Sequence, residues 1–149
     1  MEPIYDIGAM DKLLADKMGT TLDQLDISGE YQAVELIGSG GTATSLAALD
    51  LNLDIYEESL VHGHIVHADS MEQLWQRLIA LPAPERNRLP CLGESRGEIL
   101  PAGLRIYQTL LKLLQHDRIR ISDTGLLEGI LLSSIPSSRQ PYGSAGLSP

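Results

Sequence analysis

The chain has 149 residues, 43% hydrophobic and 21% charged, a length that suits one domain with a sizeable core rather than two. Its formal net charge of −9 at pH 7 argues against a general binder of nucleic acid or of anionic membrane surfaces, because phosphate backbones would be repelled at long range. No apolar run approaches the ~20 residues that span a bilayer and no secretory signal is seen, so a cytoplasmic protein is expected. The single cysteine, Cys91, rules out an internal disulfide and reads as a packing residue.

In chain order, residues 11–18 read as a short helix with Leu13, Leu14 and Met18 on one side, ended by Gly19. Residues 34–37 read as a strand, and 42–49 as a helix whose alanines permit tight packing on a sheet. Residues 55–56 and 64–66 are short extended pieces. Asp69 or Ser70 caps a helix running through Leu81, with Leu74, Trp75, Leu78 and Leu81 apolar and Pro82 stopping it. Residues 83–92 give a turn of helix and then a loop. The pattern over 94–115 sets Ile99, Gly103, Ile106, Tyr107, Leu110, Leu111 and Leu114 on one side, with Pro101 expected to bend the helix. Ile119 and Ile121 alternate with Arg118 and Arg120 as a strand, and 125–132 returns to helix. The fold class is α/β. Residues 133–149, rich in Ser, Pro and Gly, read as a disordered tail.

The strand at 34–37 runs through Gly38, Gly40 and Gly41 into the small-residue helix. Such a turn lets bare N–H groups approach a ligand, and the free amides of the following helix add partial positive charge, so it suits a phosphate. A glycine turn also serves merely to let a strand and a helix pack closely. The cations are unevenly placed: residues 1–76 hold 2 basic and 14 acidic side chains, whereas residues 77–120 hold 8 basic and 4 acidic. The middle of the chain therefore supplies any guanidinium that would meet an anion. His62, His64 and His67 invite a metal reading, but no carboxylate or cysteine stands in register with them, and no metal ligand is assigned. Asp123 is expected to cap the last helix, with Glu128 in its first turns near the positive end of the dipole.

Four segments, GSGGTATSLAALDLNL (38–53), YEESLVHGH (56–64), LPCLGESRGEILPAG (89–103) and ISDTGLLEGIL (121–131), closely resemble in order and spacing the second lobe of the Ppx/GppA phosphatases. The resemblance covers residues 30–132 and implies an actin-like, ribonuclease-H-like architecture of two lobes, each a sheet flanked by helices, with the active site in the cleft between them. Members hydrolyse the terminal phosphoanhydride of inorganic polyphosphate or of guanosine pentaphosphate, usually with magnesium. Such chemistry needs a carboxylate to activate water, charge to spread over the phosphoryl oxygens, and amides or arginines to hold the phosphates. The family's first lobe, with a phosphate loop and the catalytic glutamate, has no counterpart in these residues. Its second phosphate loop, typically DIGGGSTE, is also missing, because Asp6-Ile7-Gly8 continues as Ala9-Met10-Asp11.

The resemblance therefore implies a C-terminal lobe over residues 1–132, inactive alone, with no catalytic residue of its own and no cofactor bound by itself. Mg2+ is expected of the full-length enzyme. The expected partners are polyphosphate or guanosine pentaphosphate, the missing N-terminal lobe, and a second copy of the chain through an unpaired strand edge. Residue by residue, Gly38, Gly40, Gly41 and Thr42 match the family's glycine turn, and Arg96 matches the arginine of its Arg-Ala-Asp run, here Arg96-Gly97-Glu98. Three departures stand out: Cys91 where members often have glycine, Gly97 for alanine, and Leu127 for the arginine of Gly-Leu-Arg-Glu-Gly. Two other readings remain open. Gly38-x-Gly-x-x-Ala43 with Glu57 or Glu58 downstream fits a dinucleotide-binding oxidoreductase, and the chain could be a non-catalytic dimerisation or regulatory module.

Overall fold

Residues 43–49 are mostly alanine and leucine, and the helix they build is buried along that whole stretch. In a computed structural model describing residues 6–24, 34–92 and 96–135, the elements run α1 (Ile7–Gln24), β1 (Ile37–Ser39), α2 (Gly41–Asp50), α3 (Glu58–Val61), β2 (Ile65–His67), α4 (Ala68–Ala80), α5 (Ala83–Arg86), α6 (Arg96–Leu114), β3 (Arg118–Ser122) and α7 (Leu126–Ser133). The sheet order is β1-β3-β2, with β1 parallel and β2 antiparallel to β3. Period-two alternation then sorts the side chains. Gly38, Ile121, Ile119 and Val66 share the buried face, while Ile37, Arg120 and Ile65 share the other.

Helix α2 lies against all three strands and against α4 and α6, so it is the middle layer between the sheet and the outer helices. Its small side chains make this possible: Gly103 of α6 comes so close that a Cβ there would stand 2.7 Å from Thr42 Cγ2. The core it joins includes Leu46, Met71, Leu78, Leu100, Leu104 and Ile119.

Arg86 ties the outer helices together. It is buried, and its Nε donates to Gly97 O at 2.7 Å while Nη1 donates to Leu81 O at 2.6 Å and Leu78 O at 3.2 Å. The cation thus satisfies carbonyls at the negative end of α4 and at the start of α6. Gly97 is equally constrained, because an added Cβ would lie 2.6 Å from Asn87 Oδ1 and 2.7 Å from Asn87 N. The alanine of the family pattern fits here only if Asn87 moves.

Several elements depart from expectation. The first helix runs through Gly19 to Gln24 and starts at Ile7, where Asp6 Oδ1 accepts from Ala9 N at 2.9 Å as a cap. A glycine inside a helix costs ~1 kcal/mol but does not end it, and the inward stripe of Ile7, Met10, Leu14 and Met18 continues past it to Leu22, leaving Leu13 outside. The strand expected at 34–37 is shifted to Ile37–Ser39, so the first glycine of the turn lies in the sheet. No strand forms at 55–56. Neither Asp69 nor Ser70 caps α4, which starts at Ala68 with His67 in the cap position, two residues ahead of Asp69. On α6 the buried face is Gly97, Leu100, Pro101, Leu104, Leu111 and Leu114, whereas Ile99 and Ile106 are exposed; the expected face was rotated by about one residue. The segments at 42–49, 83–92, 118–121 and 125–132 form as expected. Of the tail expected at 133–149, residues 136–149 lie outside the described residues.

Helix α1 is held on α6 by a paired contact: Arg105 Nε and Nη2 donate to Asp11 Oδ1 and Oδ2 at 2.6 and 2.5 Å, with the guanidinium 4.6 Å above the Trp75 ring. The hydrogen bond from Arg105, ahead of its charge, holds the Asp11 carboxyl below its ordinary 3.8 despite partial burial.

Two stability experiments follow from these contacts. Arg86→Leu removes the side-chain donor from the Gly97 and Leu81 carbonyls and one of the two donors to Leu78 O, which also accepts from Leu81 N, and should lower the unfolding free energy by about 3 kcal/mol, read as a fall in the urea midpoint with an unchanged slope. The Asp11 contact gives stability that is fully present above the unfolded carboxylate pKa and is lost as pH falls through the lowered folded value. Because the pair is partly solvent-screened its worth is about 1 kcal/mol at most, and Asp11→Asn should lower stability by up to that amount between pH 6 and 8, with the difference from the wild type shrinking below pH 4, read by urea unfolding across the pH range.

Candidate anion-binding site

The parallel strands β1 and β3 end side by side, with Ser39 in register with Ser122, and ligands of α/β sheets gather at such carboxyl ends. From β1 the chain turns through Gly40, whose φ of 85° and ψ of 175° are accessible essentially to glycine alone. Helix α2 starts at Gly41 with no side-chain cap, and its first backbone bond runs from Thr44 N to Gly40 O at 3.1 Å. The amides of Gly41, Thr42 and Ala43 precede that bond and carry the positive end of the helix dipole.

Across this turn lies Arg96, the first residue of α6. Its Nη1 donates to Ser45 Oγ at 3.1 Å and to Gly41 O at 3.4 Å, and its Cζ would stand 3.3 Å from a Cβ on Gly41. Ser45 is buried, whereas Arg96 is exposed. Gly41, Thr42, Arg96, Ile99 and Leu100 line an open recess of about 210 Å3. A cation held against the positive end of a helix is electrostatically unfavourable by itself. An anion bridging the guanidinium and the amides removes the conflict and uses both donors.

Of the five residues singled out from the sequence, the fold brings four together: Gly40, Gly41, Thr42 and Arg96. Gly38 serves packing instead. It is buried in β1, where an added Cβ would meet Ile119 Cδ1 at 3.0 Å and Tyr107 Cε1 at 3.2 Å. Thr42 turns part of its side chain to Gly103. Ser45, which fixes Arg96, was missed; its spacing of four from Gly41 on one helix is the signal that could have found it.

A second polar group sits past the end of β3. Tyr56 Oη donates to Asp123 Oδ1 at 2.7 Å, and Asp123 N donates to His62 Nδ1 at 3.3 Å. Burial first, then the Asp123 hydrogen bond, pushes the Tyr56 hydroxyl up to about 12, so it stays a donor at neutral pH. Asp123 thus does not cap α7. The helix follows Gly125, and Glu128 Oε2 accepts the Gly125 N–H at 2.7 Å, which with the other backbone N–H lowers its pKa. His64 Nε2 lies 2.7 Å from Asp50 Oδ2, and only His67 of the three histidines is in a strand. Among the described residues no three His, Cys, Asp or Glu side chains come together to hold a metal ion. Cys91 takes a φ of 62°, a left-handed conformation that explains glycine at this position in the family pattern, and its Sγ donates to Leu53 O at 3.1 Å. Burial, with Asp54 nearby, raises its pKa and keeps it a thiol.

This fold and turn place the chain among proteins built on the actin-like phosphatase fold. Residues 6–138 match the model of the Ppx/GppA phosphatase family, and the chain belongs to that family. It is 27% identical over 101 residues to exopolyphosphatase 2 of Mycobacterium tuberculosis, a stretch covering 65% of this chain and 32% of that protein. Its fold is similar to that of the Aquifex aeolicus Ppx/GppA family member, with a TM-score of 0.76 at 24% identity over 90% of this chain and 42% of that one. It is also similar to an exopolyphosphatase from Cytophaga hutchinsonii, with a TM-score of 0.67 at 20% identity over 89% and 43%. The chain therefore spans about a third of the length of the curated relatives. The dinucleotide reading is not supported: the parallel neighbour of β1 is β3, and Glu57 and Glu58 lie at the start of α3 rather than at the end of such a neighbour. Nor do the matches support the non-catalytic module. No helix among the described residues is long and apolar enough to cross a membrane.

The backbone at position 40 offers a direct check. Gly40→Ala should cost about 2 kcal/mol of stability through strain alone, seen in thermal unfolding, whereas Gly41→Ala, which only presses on Arg96, should cost less.

Proposed function

We propose that the Gly40, Gly41 and Thr42 turn together with Arg96 holds the oxyanions of a phosphate chain, and that this chain is the substrate-holding lobe of a hydrolase acting on terminal phosphoanhydrides. The observation that carries the reading is the Arg96 guanidinium held over the uncapped start of α2. Membership of the Ppx/GppA family supports the substrate class. The name of the M. tuberculosis relatives, exopolyphosphatase, favours inorganic polyphosphate, with guanosine pentaphosphate, which presents the same terminal anhydride, as the second candidate.

In this reading water attacks the terminal phosphorus, the P–O–P bond breaks, and orthophosphate leaves with a chain one unit shorter. The carboxylate that activates water and the phosphate loops belong to parts of the catalytic module other than these residues, since no Asp or Glu lines the recess here. The contribution of this lobe is to bind and orient, which lowers the barrier by fixing the reacting phosphoryl group. Alone it binds without turnover. Its place of action is the cytoplasm.

Titrating tripolyphosphate into 15N-labelled protein should shift the amides of residues 40–44 and the Arg96 Nε signal. Arg96→Ala should weaken that binding about tenfold while leaving the unfolding midpoint nearly unchanged. Shifts confined to other regions, or equal affinity in the variant, would contradict the assignment.

A further inference from the structure

The polar group past the end of β3 stands beside the glycine turn. Ser39 and Ser122 are in register on parallel strands, which run about 5 Å apart, so the residues that follow them, Gly40 and Asp123, leave the sheet as neighbours. Asp123 is held in that place twice over. Its Oδ1 accepts the Tyr56 hydroxyl at 2.7 Å, and its backbone N–H donates to His62 Nδ1 at 3.3 Å. Tyr56 in turn has the Thr44 hydroxyl as a further hydrogen-bonding partner and stays protonated at neutral pH.

Two consecutive buried residues of α2 thus each fix one charged group at the start of that helix. Ser45 fixes Arg96, and Thr44 fixes Tyr56 and through it Asp123. Adjacent positions on a helix point about 100° apart, which sets the guanidinium and the carboxylate on different flanks of the same turn. The carboxylate is the unexpected member, because its charge repels any phosphate chain that continues from the turn toward β3. An ionised carboxylate accepts hydrogen bonds on both oxygens and donates none. The neighbour it favours for a bound phosphate is therefore a group with hydroxyl donors and no negative charge. A further polyphosphate unit brings only oxyanions, whereas a sugar esterified to the phosphate brings hydroxyls.

We infer that Asp123, positioned by Tyr56, is a specificity-determining residue that accepts a sugar hydroxyl next to the phosphate held by Arg96 and the turn, and so favours a nucleoside-borne phosphate chain over an inorganic one. The inference rests on the anion reading of the turn and deepens it. The name of the curated relatives points to the inorganic chain, while the Asp123 carboxylate points to the sugar-bearing one, and binding measurements separate the two.

Calorimetric titration of the full chain with tripolyphosphate, guanosine triphosphate and 2′,3′-dideoxyguanosine triphosphate is the test. The wild type should bind the hydroxylated nucleotide about tenfold more tightly than the dideoxy one. Asp123→Asn should cut that preference to about threefold or less and bind tripolyphosphate about threefold more tightly, since the repelling charge is gone. Tyr56→Phe keeps the charge but releases the carboxylate, and should cut the preference with no gain for tripolyphosphate, a split that a merely structural role would not produce. Each variant carries the test alone if the other fails to fold, as judged by circular dichroism. Binding of tripolyphosphate at the turn with no distinction between the two nucleotides overturns this inference and leaves the anion reading standing. A folded Asp123→Asn protein with wild-type preference and wild-type tripolyphosphate affinity overturns it as well. Failure of all three ligands to bind overturns the anion reading and this inference with it.

Discussion

Everything in this lobe depends on burying one short helix on all sides. Helix α2 has the sheet beneath it and α4 and α6 above, and only small or compact side chains allow that sandwich to close. Ala43, Ala47 and Ala48 are fully buried, with Leu46 filling the larger space. Two glycines let the neighbours close around α2: Gly38 in β1 leaves room for Ile119 of β3 and Tyr107 of α6, and Gly103 lets α6 approach Thr42 of α2. Glycine in these places is a requirement of volume, whereas at Gly40 it is a requirement of backbone conformation.

The candidate site is a by-product of the same packing. Because α6 must cross close to α2, its first residue, Arg96, falls across the first turn of α2, and the buried Ser45 fixes it there. Arg86 holds the start of α6 through Gly97 O, so the position of the surface guanidinium depends on a buried one. The two arginines have opposite fates. Arg86 directs donors to carbonyls inside the protein, while Arg96 remains exposed at the start of α6.

Most of the element order was legible because the signals were local: the glycine-rich turn, the alanines after it, the alternation of Ile119 and Ile121 with arginines, and the proline after α4. What was not legible arises from tertiary contacts. Gly19 reads as a stop, yet a capped start at Asp6 and packing on α6 carry α1 past it. On α6 the pattern is ambiguous because apolar residues nearly encircle the helix, and only its packing against α1, α2, α4 and α5 decides that Leu100 and Leu104 turn inward while Ile99 turns out. In the site, the turn was visible and so was Arg96, but not which glycine serves packing. That distinction depends on what stands over each α-carbon, and Ile119 and Tyr107, which stand over Gly38, are distant in sequence.

The central claim is that a phosphate group belongs between the Arg96 guanidinium and the start of α2. A crystal of this chain soaked with tungstate, a heavy tetrahedral oxyanion, tests it by anomalous diffraction. The account predicts a peak within hydrogen-bond reach of the amides of Gly41, Thr42 and Ala43 and of Arg96. A crystal with that recess open to solvent, but with tungstate bound only at other arginines, would contradict it.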